Sequence, residues 1–80
     1  MRLLKFEAPW CTKCKQMSTM METMEITHHI ERIDIDKNRD AALFYGIRGI
    51  PHMILLDEND NIVKRIGGVL TKEQLTEELT

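Results

Sequence analysis

The chain is organised around the sequence Ala8-Pro9-Trp10-Cys11-Thr12-Lys13-Cys14-Lys15, which contains both of its cysteines. The apolar run before it, with Leu3, Leu4 and Phe6, predicts a strand, and the amphipathic segment after it predicts a helix. The cysteines are therefore expected where a strand ends and a helix begins. The unpaired N–H groups and partial positive charge of a helix N-terminus favour a thiolate, which is the nucleophile of disulfide exchange. This placement indicates redox chemistry.

The spacing of the two cysteines predicts different roles for them. Residues three apart on a helix are neighbours, so Cys14 can reach the sulfur of Cys11. We expect Cys11, at the helix tip, to be exposed and to attack first, and Cys14, one turn further in, to be shielded and to resolve the mixed disulfide. A purely structural cross-link of this kind would close a very short loop and constrain the unfolded chain little. A zinc site needs about four ligands, and the only histidines are His28, His29 and His52, so we expect no metal.

Length and charge limit the classes of function open to the chain. Its 80 residues are enough for one small domain, residues 1–80. The formal net charge is −2 with the two signs interspersed, so the chain shows no electrostatic footprint for nucleic acid or an anionic membrane. Met1–Phe6 is too short for a signal peptide, and no apolar run approaches the length of a membrane span. A single close cysteine pair is typical of a reducing cytosol. We therefore expect a cytoplasmic protein, and we expect it to be monomeric.

Hydrophobic periodicity and turn residues predict four strands and three helices. The order β-α-β-α-β-β-α predicts an α/β fold in which a mixed four-stranded sheet carries helices on both faces. The predicted strands are Arg2–Glu7, Ile30–Asp36, Met53–Leu56 and Ile62–Ile66, and the predicted helices cover residues 11–27, the region of residues 41–44 and the segment after Thr71.

Several residues predict how these elements begin, end and pack. In the first helix, methionines at i, i+3, i+4 and i+7 predict a core-facing stripe, and His28-His29 is expected to end that helix as capping or surface groups. Gly46 can take the left-handed conformation that ends the second helix. Thr71 predicts the N-cap of the third helix. The methionines of the stripe are Met17, Met20, Met21 and Met24.

With these elements placed, the sequence resembles the thioredoxin family over nearly its whole length. The stretch Phe6–Lys15 resembles the family's active-site sequence, including Trp10 before the first cysteine. Tyr45-Gly46-Ile47-Arg48-Gly49-Ile50-Pro51 resembles the segment that carries the family's cis-proline. Gly67, followed by a helix, resembles the glycine that helps form the flat apolar rim around the site. The resemblance implies a thioredoxin-like fold.

The resemblance also implies an activity, a thiol–disulfide oxidoreductase that reduces protein disulfides. Cys11 would be the nucleophile and Cys14 the resolving cysteine, and their redox-active disulfide would serve in place of any cofactor. The expected partners are protein disulfide substrates and an electron donor resembling thioredoxin reductase. The Ile50–Pro51 peptide bond would be cis beside the disulfide, which leaves the Ile50 backbone free to pair with an extended substrate. The substrate-binding surface would consist of Trp10, Ile50, Pro51 and Gly67.

The sequence departs from the family pattern at several positions. The family's first strand and helix have no counterpart in these residues. Thr12-Lys13 stands between the cysteines in place of Gly-Pro, and we expect Lys13 and Lys15 to favour the thiolate of Cys11. His52, directly after the proline, either tunes the site or simply lies on the sheet.

The departure with the largest electrostatic consequence is Lys5. It stands where the family has a buried acid, and Arg32 stands where the family has that acid's lysine partner, so the family's proton-transfer role does not carry over. A lysine in the middle of a small sheet cannot stay charged and unpaired without several kcal/mol of cost. Lys5 is therefore expected either to pair with Glu7 or Asp34, which we favour, or to be hydrated at an open edge of the structure.

Two other functions are compatible with the sequence. A glutaredoxin-like enzyme would be reset by glutathione, and Gly67-Gly68 resembles that family faintly, but Val69-Leu70 stands where its acidic pair would follow. A thioredoxin-fold binding subunit would dock a partner through its apolar rim, although retention of both cysteines argues against a purely structural role.

Overall fold

The computed structural model describes residues 1–80 and contains seven elements in the predicted order. The chain forms four strands and three helices: β1 (Arg2–Glu7), α1 (Thr12–Glu22), β2 (His29–Asp34), α2 (Arg39–Phe44), β3 (His52–Leu56), β4 (Ile62–Gly67) and α3 (Lys72–Leu79). None of these helices has the length and apolar content needed to cross a bilayer.

The four strands form one mixed sheet in the order β2-β1-β3-β4. β1 runs parallel to β2, with Lys5 opposite Arg32. It runs antiparallel to β3, with Phe6 opposite His52, and β3 runs antiparallel to β4. The predicted mixed four-stranded sheet is confirmed. The end of β1, and with it the Cys11 segment, therefore lies at the middle of the sheet between two hydrogen-bonded neighbours.

Apolar side chains cover both faces of the sheet, as the alternation of β1 requires. α1 and α3 pack on one face, and the 41–50 region, which includes part of α2, packs on the other, so the prediction of helices on both faces is confirmed. Residues Met53–Leu56 of the inner strand are all buried, as expected of a strand covered on both sides. The buried core is Leu3, Met17, Met21, Met53, Leu55, Ile66 and Leu75 on the first face, and Leu4, Phe6, Ile54 and Leu56 on the second.

The first helix is shorter than its methionine pattern predicts. It ends at Glu22, because the hydroxyl and the amide of Thr23 both donate to the carbonyl of Met20, at 2.7 and 3.1 Å, and close the last turn. Met24 lies beyond the helix but still packs against the core. The stripe is core-facing as predicted, although a continuous helix does not carry all of it.

The histidine pair does not end the first helix, so that prediction is wrong. His29 is exposed and begins β2, which runs only to Asp34. The ring of His28 lies 3.2 Å from the carbonyl oxygen of Leu79, at the C-terminal end of α3. A histidine does complement a helix C-terminus here, but the helix is α3.

The ends of the other two helices agree with the sequence. Gly46 follows the C-cap Tyr45 with φ +66°, the left-handed conformation that a glycine adopts without strain. Thr71 caps α3, and a reciprocal capping box forms: its hydroxyl accepts from the backbone of Gln74 at 3.1 Å, and the Gln74 side chain accepts from the backbone of Thr71 at 2.9 Å.

Thr71→Ala is expected to lower the free energy of unfolding by about 1 kcal/mol, because it removes the cap of α3. Thr76→Ala is the matched control, since Thr76 is an exposed threonine inside the same helix and should change stability by less than about 0.5 kcal/mol. Urea denaturation measures both. Equal losses in the two variants would show that the capping box contributes nothing specific.

Candidate active site

The two cysteines form a disulfide at the N-terminus of α1. Cys11 is the N-cap residue, and its sulfur accepts a hydrogen bond from the backbone N–H of Cys14 at 3.1 Å. The segment turns tightly into the helix, because the Cys11 amide donates to the carbonyl of Ala8 at 3.1 Å. A backbone donor and the helix dipole thus both point at the Cys11 sulfur.

Cys11 is less accessible than we expected from its place at the helix tip. It is 7% exposed and Cys14 is 2% exposed, so the predicted order of accessibility is right but both residues are buried. The reason is local packing, since Ala8, Ile35 and Ile50 lie against the disulfide. A reacting group must therefore approach Cys11 through the small part of its surface that is exposed.

Of the residues predicted to bind substrate, Trp10 is next to Cys11 in sequence and Ile50 packs against the disulfide, whereas Pro51 and Gly67 line a neighbouring cleft with Ile50. Trp10 is 65% exposed, and its indole N–H donates to a carboxylate oxygen of Asp36 at 2.8 Å, which fixes the ring beside Cys11. The Ile50–Pro51 peptide bond is cis. The backbone N–H and carbonyl of Ile50 make no hydrogen bond within the protein, so both can pair with an extended segment.

A cleft of about 390 Å³ lies beside the proline; we call it the cis-proline cleft. Gly67 faces His52 there, and a Cβ on Gly67 would lie 3.4 Å from the imidazole Nδ1. A side chain at position 67 would therefore press on the histidine ring. The residues that line the cis-proline cleft include Arg48, Ile50, Pro51, His52 and Gly67.

His52 lies on the sheet at the edge of this cleft and is half-buried. Burial lowers the pKa of His52, and the positive charge of Arg65 lowers it further. Its Nε2 atom is buried without a hydrogen-bond partner. The neutral imidazole is therefore the favoured form near pH 7.

Lys5 lies behind Cys14 and is 2% exposed. Its ammonium contacts Glu7 Oε1 at 2.5 Å and Ser18 Oγ at 2.9 Å, so the expected pairing with Glu7 is confirmed. The other Glu7 oxygen accepts from Arg32 Nε at 2.9 Å. Asp34, the alternative partner that we named, does not pair with Lys5. One carboxylate thus holds two cations, one buried and one exposed.

A second, larger cleft of about 410 Å³ reaches Cys14 from the side of β2; we call it the Cys14 cleft. It connects an otherwise buried cysteine with solvent. Lys15 lines this cleft, whereas Lys13 is exposed on the first turn of α1 and lines neither cleft. The side chains at the Cys14 cleft that matter for its chemistry are Glu7, Cys14, Lys15, Ser18, Arg32 and Asp34.

Sequence reasoning missed two residues of this arrangement. Ser18 is four residues after Cys14 and therefore on the same face of α1, a signal that could have placed it at the lysine. Asp36 was predicted as the last residue of the second strand, and the parallel register of β1 and β2 is what brings it near Trp10. No three His, Cys, Asp or Glu side chains are grouped so as to hold a metal ion.

Known sequences match the chain along most of its length. The family model for thioredoxin matches residues 1–80. A thioredoxin of Buchnera aphidicola is 39% identical over 77 residues, which is 91% of this chain and 70% of that protein. The SPbeta prophage-derived thioredoxin-like protein YosR of Bacillus subtilis is 35% identical over 73 residues, covering 91% of this chain and 89% of that protein.

Solved structures agree with the sequence matches. A single-site mutant of a thioredoxin from Halobacterium salinarum superposes with a TM-score of 0.87 at 28% identity, covering 98% of this chain and 70% of that one. The fold is therefore thioredoxin-like, as the sequence predicts. The chain belongs to the thioredoxin family, and its Cys11–Cys14 pair is the redox group of a thiol–disulfide oxidoreductase.

Proposed function

We propose that this protein reduces disulfide bonds in other proteins, with Cys11 as nucleophile and Cys14 as resolving cysteine. The observation that carries the proposal is the N-cap position of Cys11, where a backbone N–H lies 3.1 Å from its sulfur. In the reduced protein that donor and the helix dipole favour the Cys11 thiolate.

The proposed reaction is two successive exchanges. The Cys11 thiolate attacks one sulfur of the substrate disulfide, forming a mixed disulfide and releasing the other substrate sulfur as a thiolate. The Cys14 thiolate then attacks the Cys11 sulfur, which forms the intramolecular disulfide and releases the second substrate sulfur. Two cysteines of this chain are oxidised and one substrate disulfide is reduced.

The substrate surface of the proposal consists of Trp10, Ile50, Pro51 and Gly67. An extended segment would pair with the free backbone groups of Ile50, while the exposed face of Trp10 covers its side chains. Shape favours this assignment, because the glycine leaves room beside His52 that a larger residue would fill. His52 itself is proposed as a tuning residue of the cleft.

An electron donor resembling thioredoxin reductase is proposed to reset the disulfide. Reset by glutathione is less well supported, because the cis-proline cleft is lined by no carboxylate that could hold the glutathione amine. Glutaredoxins have an acid at the position of Val69. Here the side chain is apolar and half-exposed, so it offers no carboxylate to the glutathione amine.

An insulin-reduction assay run with two electron sources tests the proposal. Insulin should be reduced when NADPH and thioredoxin reductase supply electrons, and only slowly when glutathione does. Faster turnover with glutathione would favour the glutaredoxin-like alternative. No turnover with either source would contradict a reductase function and favour a binding subunit.

Lys13→Glu is expected to raise the pKa of the Cys11 thiol and to lower the reduction potential of the pair. Lys13 adds positive charge near the helix start, and loss of that charge destabilises the thiolate and so the reduced form. The shift should be no more than about 30 mV, because the side chain is exposed and screened by solvent.

Redox equilibration with glutathione measures that potential. Lys72→Glu is the matched control, since Lys72 is an exposed lysine in the first turn of α3 and should leave the potential unchanged. A rise in potential for Lys13→Glu, or no difference from the control, would remove side-chain charge as a determinant of the Cys11 thiolate.

A further inference from the structure

Lys5 is a buried cation whose hydrogen bonds are complete. A lysine ammonium has three N–H donors, and three acceptors surround Nζ: Glu7 Oε1 at 2.5 Å, Ser18 Oγ at 2.9 Å and the carbonyl oxygen of Cys14 at 3.5 Å. Three acceptors, one of them a carboxylate, suit the charged form of the side chain. A positive charge therefore lies 3.5 Å from the backbone carbonyl oxygen of the residue that must become a thiolate.

The charged side chains that line the Cys14 cleft do not by themselves offset the positive charge of Lys5. The Cys14 cleft is lined by two cations, Lys15 and Arg32, and by two carboxylates, Glu7 and Asp34, whose formal charges cancel. Lys5 lies beneath this lining and adds one positive charge, so these five groups sum to +1. The exposed carboxylate of Glu22 borders Lys5 in a separate cleft, which Cys14 does not line. Ile35 and Ile50 also pack on the disulfide, and both are apolar.

We propose that Lys5 is a positioning residue that favours the thiolate of Cys14 during the resolving step; this inference rests on the proposed function. The mixed disulfide leaves Cys14 as a buried thiol that must lose its proton before it can attack Cys11. The proton passes to water in the Cys14 cleft, and the ammonium of Lys5 stabilises the thiolate that remains. The thiolate then displaces the second substrate sulfur from Cys11.

Lys5 acts here as a fixed charge and exchanges no proton itself. The expected consequence is that the resolving step continues at lower pH than it would without Lys5. An effect of charge also predicts opposite changes in the rate of the resolving step for two substitutions. Removing the cation should slow resolution at low pH, whereas removing the carboxylate of Glu7, which offsets that cation, should accelerate it.

A single-turnover reaction of the reduced protein with dithiobis(nitrobenzoate) separates the attack by Cys11 from the resolving step of Cys14. The Cys11 thiolate attacks this reagent and releases one thionitrobenzoate, and Cys14 then displaces the second one from Cys11. The two releases are measured by absorbance between about pH 6 and pH 9, a range chosen around the ordinary thiol pKa. The proteins compared are the wild type, Lys5→Met, Glu7→Gln and a control, Lys64→Met, whose half-exposed lysine pairs with Glu78 on the edge strand β4.

For Lys5→Met we expect the second release to be slowed about tenfold at pH 6 and to recover as the pH rises. The first release should change less, since Lys5 donates to the backbone carbonyl of Cys14 and makes no hydrogen bond with Cys11. The Lys64→Met control should match the wild type in both releases. An unchanged pH profile of the second release in folded Lys5→Met would overturn the proposal and leave Lys5 a structural residue.

Glu7→Gln keeps a hydrogen-bond acceptor for Lys5 and removes the offsetting charge, so its second release should be faster than that of the wild type at pH 6. This variant decides the question if Lys5→Met does not fold. A second release no faster than that of the wild type would contradict the proposal, and a slower one would assign Glu7 a role as proton acceptor. Failure of the proposed function gives a different result, because insulin would then not be reduced even by a wild type that shows both releases.

Discussion

Replacement of Phe6 with alanine is expected to lower the free energy of unfolding by about 3 to 5 kcal/mol. Phe6 is fully buried at the centre of the second face of the sheet, among Leu4, Ile54 and Leu56, with its ring 5.7 Å from that of Tyr45. The substitution leaves a cavity under the strand that leads into the cysteine segment. Small domains have only about 5 to 15 kcal/mol of total stability, so the variant should be close to unfolding.

Phe44→Ala is the matched control for this prediction. It makes the same chemical change at a phenylalanine that is 81% exposed, and its edge-on contact with Tyr45 is worth about 1 kcal/mol at most. Urea denaturation followed by circular dichroism compares the two variants. Comparable losses of stability would mean that burial at position 6 does not hold this face of the sheet together.

Cys11→Ser is expected to abolish insulin reduction, which is the largest functional effect that the site predicts. We expect almost no mixed disulfide without the Cys11 sulfur, because Cys14 is the more buried of the two cysteines, at 2% exposed. Cys14→Ser should also stop turnover, but at a later stage, because the first exchange still occurs and its product is not resolved. Circular dichroism of both variants shows whether the fold is retained, as expected for a cross-link between residues only three apart in sequence.

The sheet was predictable because its strands carry local signals. The alternation in β1 and the continuous apolar run of Met53–Leu56 each fix which side chains are buried, and the turns between strands contain the residues that turns need. The pairing of Lys5 with Glu7 was predictable for the same reason, since two positions along one strand return to one face. Local pattern therefore decided most of the fold.

Features that depend on contacts between distant residues were not predictable in this way. The Trp10–Asp36 hydrogen bond joins residues 26 apart in sequence and depends on how β1 and β2 align. The burial of Cys11 depends on Ile35 and Ile50, which approach it from two different segments. The early end of α1 comes from hydrogen bonds of Thr23, whereas the methionine spacing alone favours a longer helix.

The arrangement of charge behind the cysteines distinguishes this chain from the pattern that its sequence otherwise resembles. A buried cation, held by Glu7 and Ser18, lies behind Cys14 where the family has an acid. The proposals for Lys5 and Lys13 concern different sulfurs, so they are independently testable. Lys13 is exposed and is proposed to act on Cys11 through solvent, whereas Lys5 is buried and donates to the backbone carbonyl of Cys14 at 3.5 Å.

The most direct test of Cys11 as the nucleophile is to map the mixed disulfides that the two serine variants form with insulin, using mass spectrometry of unreduced peptides. We predict that Cys14→Ser accumulates a stable mixed disulfide at Cys11 and that Cys11→Ser accumulates almost none. Equal accumulation by both variants, or a preference for Cys14, would contradict the assignment of Cys11 as the nucleophile.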